Sequence, residues 1–250
     1  MTPRLFIERH WVDGTGRLVR LPRDQARYLR SVLRLAPGAE VTLLDGTGLQ
    51  YAAVLRDLGG EARAEIVREG PATVTGTGVV LAPALTKGAR LDLVVQKATE
   101  LGAAAIHPLL TRRAVPRVED GGPSRVARWR RIAIEAAEQC ERGDLPAIHP
   151  VEPLDRFLAR PFPGALRLCF HEGAARGAGD VAKLADVLAG GLSRGRTVVA
   201  LLGPEGGFAP EEAEAARAAG YLWVGLGPRV LRAETAALAA LAVLAYEIER

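Results

Sequence analysis

Three turns in this chain carry residue types suited to holding a polar ligand. Gly203-Pro204-Glu205-Gly206-Gly207 ends the apolar run "TVVALL" (197–202), "FHEG" (170–173) follows "LRLC", and "GLGPRV" (225–230) follows "YLWV". Glycines there permit sharp bends and close backbone approach to a ligand. A phosphate-binding P-loop needs Lys-Ser/Thr after its glycines. Phe208 and Ala209 stand in that place, and Glu205 would repel a phosphate. The dinucleotide fingerprint G-x-G-x-x-G fails too: "GLGPRV" has Val230 at its third position and lies near the C-terminus, not in a first βαβ unit. S-adenosylmethionine fits better. It has no phosphate and carries a positive sulfonium, which a carboxylate tolerates, while backbone N–H and C=O groups can read its adenine edge. A strand–turn–helix corner without a ligand is the competing explanation for any one such loop. Three of them on neighbouring strand ends favour the ligand.

The elements that must position these turns alternate. "VVLAPAL" precedes a helical pattern over 88–101, "AAIHPLL" one over 124–142, and "AIHPVE" a short one near Leu154. "LRLCF" precedes a helix near 181–188, "TVVALLG" one over 210–219, and "YLWVGLG" the last one over 233–249. Such alternation predicts an α/β fold with a mostly parallel sheet covered by helices on both faces. Ligands in these sheets bind beyond the carboxyl ends of the strands, where all three turns lie. His107-Pro108 and His149-Pro150 each follow an Ala-Ile; with nothing nearby to complete a ligand set, they read as strand ends punctuated by proline rather than a metal pair.

Residues 1–72 differ. "RLFI", "RLVRL", "EVTLLD", "LQYAAVLRDL" and "EARAEIVRE" are short strand-like segments separated by turns such as Asp45-Gly46 and Gly59-Gly60. One helical pattern, over 22–34, places Tyr28, Leu29, Val32 and Leu33 on an apolar stripe and Arg23, Arg27, Arg30 and Arg34 on another face. The Gly-rich stretch 70–78 reads as a linker.

Of the 33 basic residues only Lys87, Lys97 and Lys183 are lysines, and the net charge is +4. Residues 1–34 hold eight arginines against three acids, and 111–131 hold seven against two. Arginine gives bidentate contacts to phosphate, so two such clusters point to nucleic acid; a solvated helix face or a genome-wide bias toward arginine would also produce them. The candidate RNA contacts are Arg4, Arg9, Arg23, Arg27, Arg30, Lys87, Arg112 and Arg113, with Arg90 nearby and Trp129 as either a stacking platform or a buried anchor. The Pro- and Gly-containing part of 111–131 reads as a mobile loop. Cys140 and Cys169 stand alone, which indicates neither a zinc site nor a disulfide framework and fits a reducing cytoplasm. No apolar run is long enough to span a membrane, and no secretory leader pattern is present.

"LLGPEGGFAPEE", "LGPRVLRAETAAL", "QKATELGAAAIHPL" and "EAAEQCERGDLPAI" together resemble the bacterial 16S ribosomal RNA uracil-N3 methyltransferases, a family of the SPOUT superfamily of knotted methyltransferases. The likeness runs over nearly the whole chain. It departs at Ala209, where a Ser or Thr helix cap is usual, at Ala233, where Thr is frequent, and at Glu141, where a small residue is common.

The resemblance implies a PUA-like β-barrel domain over 1–72 and a SPOUT methyltransferase domain with a C-terminal trefoil knot over 73–250. It implies S-adenosylmethionine as cofactor, no metal, 16S ribosomal RNA or the small subunit as partner, and a homodimer. The implied cofactor contacts are Phe170, His171, Glu172, Leu202, Gly203, Pro204, Glu205, Gly206, Gly207, Leu226, Gly227, Pro228, Val230, Leu231, Thr235 and Ala236. Methylation at N3 of uracil needs a group to take the N3 proton and a cation for the charge that develops. Arg232 is the candidate cation, and Glu234 and Glu205 are rival bases; an Arg232–Glu234 ion pair at a helix start is the structural alternative. Another SPOUT activity, on ribose 2′-O or a different base, and a non-catalytic RNA-binding assembly protein are the other functions compatible with these residues.

Overall fold

The computed structural model describes residues 2–74, 76–114, 122–172, 181–193 and 195–250. The chain forms two compact units, one of residues 1–75 with 137–145, the other of 76–136 with 146–250.

The first unit is a curled five-stranded sheet. Strands β1 (Arg4–Phe6), β2 (Leu18–Leu21), β3 (Glu40–Leu44), β4 (Leu49–Asp57) and β5 (Ala62–Pro71) lie in the order β1-β3-β4-β5-β2. Alternating residues such as Leu5, Val19, Leu21, Val41, Leu43 and Leu55 build its core. Two register shifts in the β4–β5 ladder bend the sheet.

Two local expectations are corrected here. The helix expected over 22–34 is α-helical only over α1 (Arg23–Arg27), and Tyr28–Val32 continue as a wider π turn in which Leu33 N–H donates to Tyr28 O at 3.1 Å. The wider turn rotates the expected apolar stripe: Leu29 is buried, whereas Tyr28 and Val32 are exposed. The linker expected over 70–78 begins as strand. The nine-residue β4 is long enough to pair Leu49 with Pro71 and Gln50 with Gly70. Thr73 O then accepts from Gly143 N–H at 2.8 Å, and a Cβ on Gly143 would sit 2.4 Å from that of Ala72. Glu141 has φ +61°, a conformation that glycine adopts freely and a bulkier residue only at a cost.

The second unit has the expected parallel architecture. Its strands are β6 (Val79–Pro83), β7 (Ala105–Ile106), β8 (Leu109–Leu110), β9 (Ala147–Ile148), β10 (Glu152–Pro153), β11 (Leu166–Phe170), β12 (Ala182–Lys183), β13 (Val198–Leu202) and β14 (Leu222–Gly225). Seven of them form one sheet in the order β12-β14-β11-β13-β6-β7-β9, every pair parallel, and β8 and β10 pair separately. The helices are α2 (Arg90–Glu100), α3 (Pro123–Gln139), α4 (Leu154–Leu158), α5 (Leu184–Leu188), α6 (Pro210–Ala218) and α7 (Ala233–Glu249).

Period-two alternation sorts the sheet's side chains. Val79, Leu81, Leu168, Val198 and Ala200 pack with residues of α2, α3, α5 and α7. Val80, Ala82, Cys169, Val199 and Leu201 pack with α4 and α6 on the opposite face. β6 and β13 are therefore buried throughout, which is why they read as unbroken apolar runs. β14, the last strand in the chain, sits in the interior of the sheet between β11 and β12. Residues 173–180, on the path from β11 to β12, lie outside the described residues, as do Arg117 and the rest of 115–121 in the arginine-rich stretch. No described helix is long and apolar enough to cross a membrane.

His107 and His149 close the β7 and β9 ends by stacking, with centroids 3.7 Å apart. His107 Nδ1 lies 3.2 Å from Glu152 Oε1, and Glu152 accepts a forked bond from Arg160. The pair is part of this polar knot between strands. Among the described residues no group of three metal-binding side chains occurs. Burial, then the neighbouring His149, pushes the His107 pKa down from 6.5 to about 4. The folded protein thus favours neutral His107, and the stability this contributes is complete above pH about 6.5 and lost as pH falls toward 4. Between pH 7 and pH 5 the expected loss is about 2 kcal/mol. Urea titrations at both pH values check it: His107→Gln should flatten the dependence, and an equal slope in the variant would refute the assignment.

Candidate active site

The carboxyl ends of β11, β13 and β14 open into one cavity of about 300 Å³, at the lower end of the size of small-molecule sites. All three turns singled out in the sequence reach it. Phe170, His171 and Glu172 line it from the end of β11, and Leu202, Gly203, Pro204, Glu205 and Gly207 from the end of β13. Leu226, Gly227, Val230 and Leu231 line it after β14, and Ala236 from the first turns of α7. Arg232, the candidate cation, is also in the wall.

Local reasons for this shape are visible. Gly207 has φ +67° and Gly227 φ +117°, which side-chain-bearing residues adopt only under strain. A Cβ on Gly203 would press at 3.3 Å on the ring of Phe208, so Gly203 lets that ring fold back under the turn. α6 lacks a side-chain cap at Ala209, but Glu212 supplies half of a capping box by accepting from Ala209 N–H at 2.9 Å. His171 stacks on Trp223 at 4.4 Å, which fixes its ring at the edge of the cavity.

Four expected residues are not in the wall: Gly206, Pro228, Glu234 and Thr235. Gly206 turns its carbonyl outward, where it accepts from Arg113 at 2.9 Å. Pro228 and Thr235 are exposed. Glu234 sits behind the wall, its side chain 13% exposed. Three wall residues were missed. Phe208 could have been found as the apolar residue closing the turn, Arg229 and Ala233 as the neighbours of residues already chosen.

The Arg232–Glu234 ion pair, the structural alternative to a catalytic role, does not form. Arg90, the first residue of α2, donates from its guanidinium to Glu205 Oε1, and its Nε lies 3.8 Å from Glu234 Oε1. The two rival bases therefore share one cation that comes from the distant α2. Among the described residues Arg232 has no ion-pair partner.

The expected RNA contacts divide in a similar way. Arg4 pairs with Glu141 at 3.1 Å, Arg9 with Asp45 at 3.3 Å, and Arg30 donates to Leu58 O at 3.1 Å. Arg112 reaches Glu211 at 3.4 Å and offers its backbone N–H to Glu212. Arg23, Arg27 and Lys87 are exposed, and no partner for them occurs among the described residues. Trp129 is fully buried, so it is an anchor and not a stacking platform.

The cavity fits S-adenosylmethionine. Its wall combines apolar side chains and turn backbone, suited to an adenosyl group, with the polar residues His171, Glu172, Glu205, Arg229 and Arg232. The Glu205 carboxylate, held by Arg90, can face a sulfonium, and the wall has no lysine.

A family model described as an RNA methyltransferase domain matches residues 75–245, and one described as an RNA methyltransferase PUA domain matches 21–67. The chain is 36% identical over 90% of its length to the ribosomal RNA small subunit methyltransferase E of Synechocystis, covering 71% of that protein. It is 31% identical over 92% of its length to the enzyme of that name from Mycobacterium bovis, covering 87% of it. The chain belongs to the ribosomal RNA small subunit methyltransferase E family. The fold of that family is the SPOUT type. A crystal structure of the family member from Neisseria gonorrhoeae bound to S-adenosyl methionine superposes with a TM-score of 0.83 at 31% identity, over 99% of this chain and 98% of that one. A putative methyltransferase from Legionella pneumophila, in complex with the bound cofactor, superposes with a TM-score of 0.85 at 30% identity, over 98% of this chain and 97% of that one.

Proposed function

We infer that this protein is an S-adenosylmethionine-dependent RNA methyltransferase that acts on 16S ribosomal RNA of the small subunit, at N3 of a uridine. The observation that carries the reading is the cavity at three strand ends with Arg232, which has no ion-pair partner among the described residues, in its wall, in a chain of this family.

S-adenosylmethionine, when bound, supplies an electrophilic methyl group on a positive sulfonium. The chain's own residues have three tasks. Phe170, Leu202, Phe208 and Leu226, with the turn backbones, hold the adenosyl part and exclude water. Glu205 lies in the wall, where it can accept the N3 proton of the base or face the sulfonium. Arg232 stabilises the negative charge that develops on the base as that proton leaves, an interaction that counts only if it is in place before reaction. A positioned base contributes about 10²–10⁴-fold.

Residues 1–72 serve as the PUA-like RNA-binding part and 73–250 as the catalytic part. Arg23 and Arg27, one helical turn apart on α1, are the exposed cations best placed for phosphate. Reversing both to Glu should lower RNA affinity about tenfold or more and reduce its salt slope by roughly 2. S-adenosylmethionine binding should stay unchanged; unaltered RNA affinity would remove α1 from the interface.

A homodimer is supported by α7, which carries apolar residues nearly all round. Its buried side packs into the core, whereas Val243 and Tyr246 stay exposed, Tyr246 by 66%, and Leu93 of α2 is 41% exposed. Sedimentation equilibrium at twice 26.5 kDa is the expected result, and a monomer would refute it.

The deciding experiment offers naked small-subunit RNA and assembled subunits to the protein with S-adenosylmethionine, and reads the product by nucleoside and position. N3-methyluridine is expected. A methylated ribose or another base would move the assignment to a different SPOUT activity, and no product would favour a non-catalytic assembly role.

A further inference from the structure

We propose that Arg90 is a positioning residue of this site: it holds Glu205 in the cavity wall by sharing one guanidinium between Glu205 and the part-buried Glu234. The proposal rests on the methyltransferase reading. The three residues come from three elements, α2, the turn after β13 and the first turn of α7, and α2 packs directly against α7.

Glu234 has one carboxylate oxygen, Oε1, at 3.8 Å from Arg90 Nε, while Oε2 is buried with no hydrogen-bond partner. It does not line the cavity, so it has no direct access to a ligand there. Its location in the first turn of α7 favours its negative charge through the helix N-terminus. Glu234 therefore works as an anchor behind the wall. It draws the Arg90 guanidinium inward, and the guanidinium in turn fixes the Glu205 side chain, which does line the cavity.

The planar fork of arginine can serve two carboxylates from one position, which the compact ammonium of lysine does less well. Without the cation, the two carboxylates would repel, and Glu205 would have solvent-exposed conformations open to it. The consequence is a cofactor-binding effect of a residue that makes no contact with the cavity itself.

The test is calorimetric titration of S-adenosylmethionine into the full-length protein without RNA, so that binding and not turnover is read. Arg90→Gln is expected to weaken binding about tenfold, the scale of losing a charge-assisted hydrogen bond. In a Glu205→Gln background the same change should alter affinity by less than about twofold, because the group it holds is already neutral. Arg90→Lys, which keeps the charge, should fall between wild type and Arg90→Gln. A tenfold loss in both backgrounds shows that Arg90 does not act through Glu205 and overturns the proposal. Wild-type affinity in Arg90→Lys overturns the shared fork, and remains decisive if Arg90→Gln fails to fold. Failure of the wild-type protein to bind S-adenosylmethionine would instead remove the methyltransferase reading, and this inference with it.

Discussion

Replacing Arg232 by alanine is expected to lower the rate of RNA methylation about 10²–10³-fold, with S-adenosylmethionine affinity within about threefold of wild type. The expectation follows from where the side chain stands. Arg232 is the residue preceding α7, in an extended conformation with φ −63° and ψ 152°, exposed and in the cavity wall. Its nearest acidic neighbour in sequence, Glu234, turns instead toward Arg90, so nothing among the described residues neutralises Arg232. A cation held at the mouth of the site, without an internal partner, is free to meet charge that appears only in the transition state. Arg232→Lys should recover part of the rate, since a point charge remains but the planar fork does not. Single-turnover kinetics with RNA, beside calorimetry with the cofactor, separates the two effects. An equal fall in cofactor affinity would place Arg232 in cofactor binding, and an unchanged rate would make it structural.

The largest expected effect on stability is that of Trp129→Ala, about 3–5 kcal/mol. The indole is 0% exposed and belongs to the core cluster with Leu91, Val94 and Val95 of α2. Its Nε1 donates to Asp92 Oδ1 at 3.0 Å, while Arg128 holds Asp92 Oδ2 at 2.7 Å. Truncation leaves both a void and a carboxylate oxygen without its donor, and each adds to the cost. A loss of this size is a large fraction of the about 5–15 kcal/mol that holds a typical domain together. Trp129→Phe keeps most of the volume and loses only the hydrogen bond, so about 1–3 kcal/mol is expected. Urea unfolding measures both. The same Phe variant should bind RNA as well as wild type, because a buried ring cannot stack on a base; a weakened RNA complex at intact stability would contradict that assignment.

Much of the second unit is legible in the sequence. Buried parallel strands read as unbroken apolar runs, and glycine-rich turns mark their carboxyl ends. Fourteen of the expected site residues, from Phe170 to Ala236, line one cavity. The errors have physical causes. The apolar stripe over Tyr28–Leu33 assumed the α-helical period, and the π turn changed it. The linker reading took Gly70 and Pro71 as punctuation, but a long β4 was available to pair with them.

Arginines were the hardest to place. Charge density marks Arg112 and Arg113 as candidate RNA contacts but does not reveal that Arg112 pairs with Glu211 and that Arg113 donates to the Gly206 carbonyl. Trp129, among the same arginines, could be either a platform or an anchor until its burial was known.

The sequence by itself determined the order of strands and helices, the strand ends where a ligand can enter, and the unsuitability of those turns for a phosphate. Each of these depends on short-range properties: side-chain period, the backbone freedom of Gly207 and Gly227, and the sign of the charge at Glu205. Only the tertiary structure decided which charges meet. Arg90 reaches Glu205 and Glu234 because α2 and α7 pack side by side, across separations of 115 residues and more. A long, flexible, charged side chain takes whichever partner the packing of distant elements brings within its reach, and no local pattern encodes that choice.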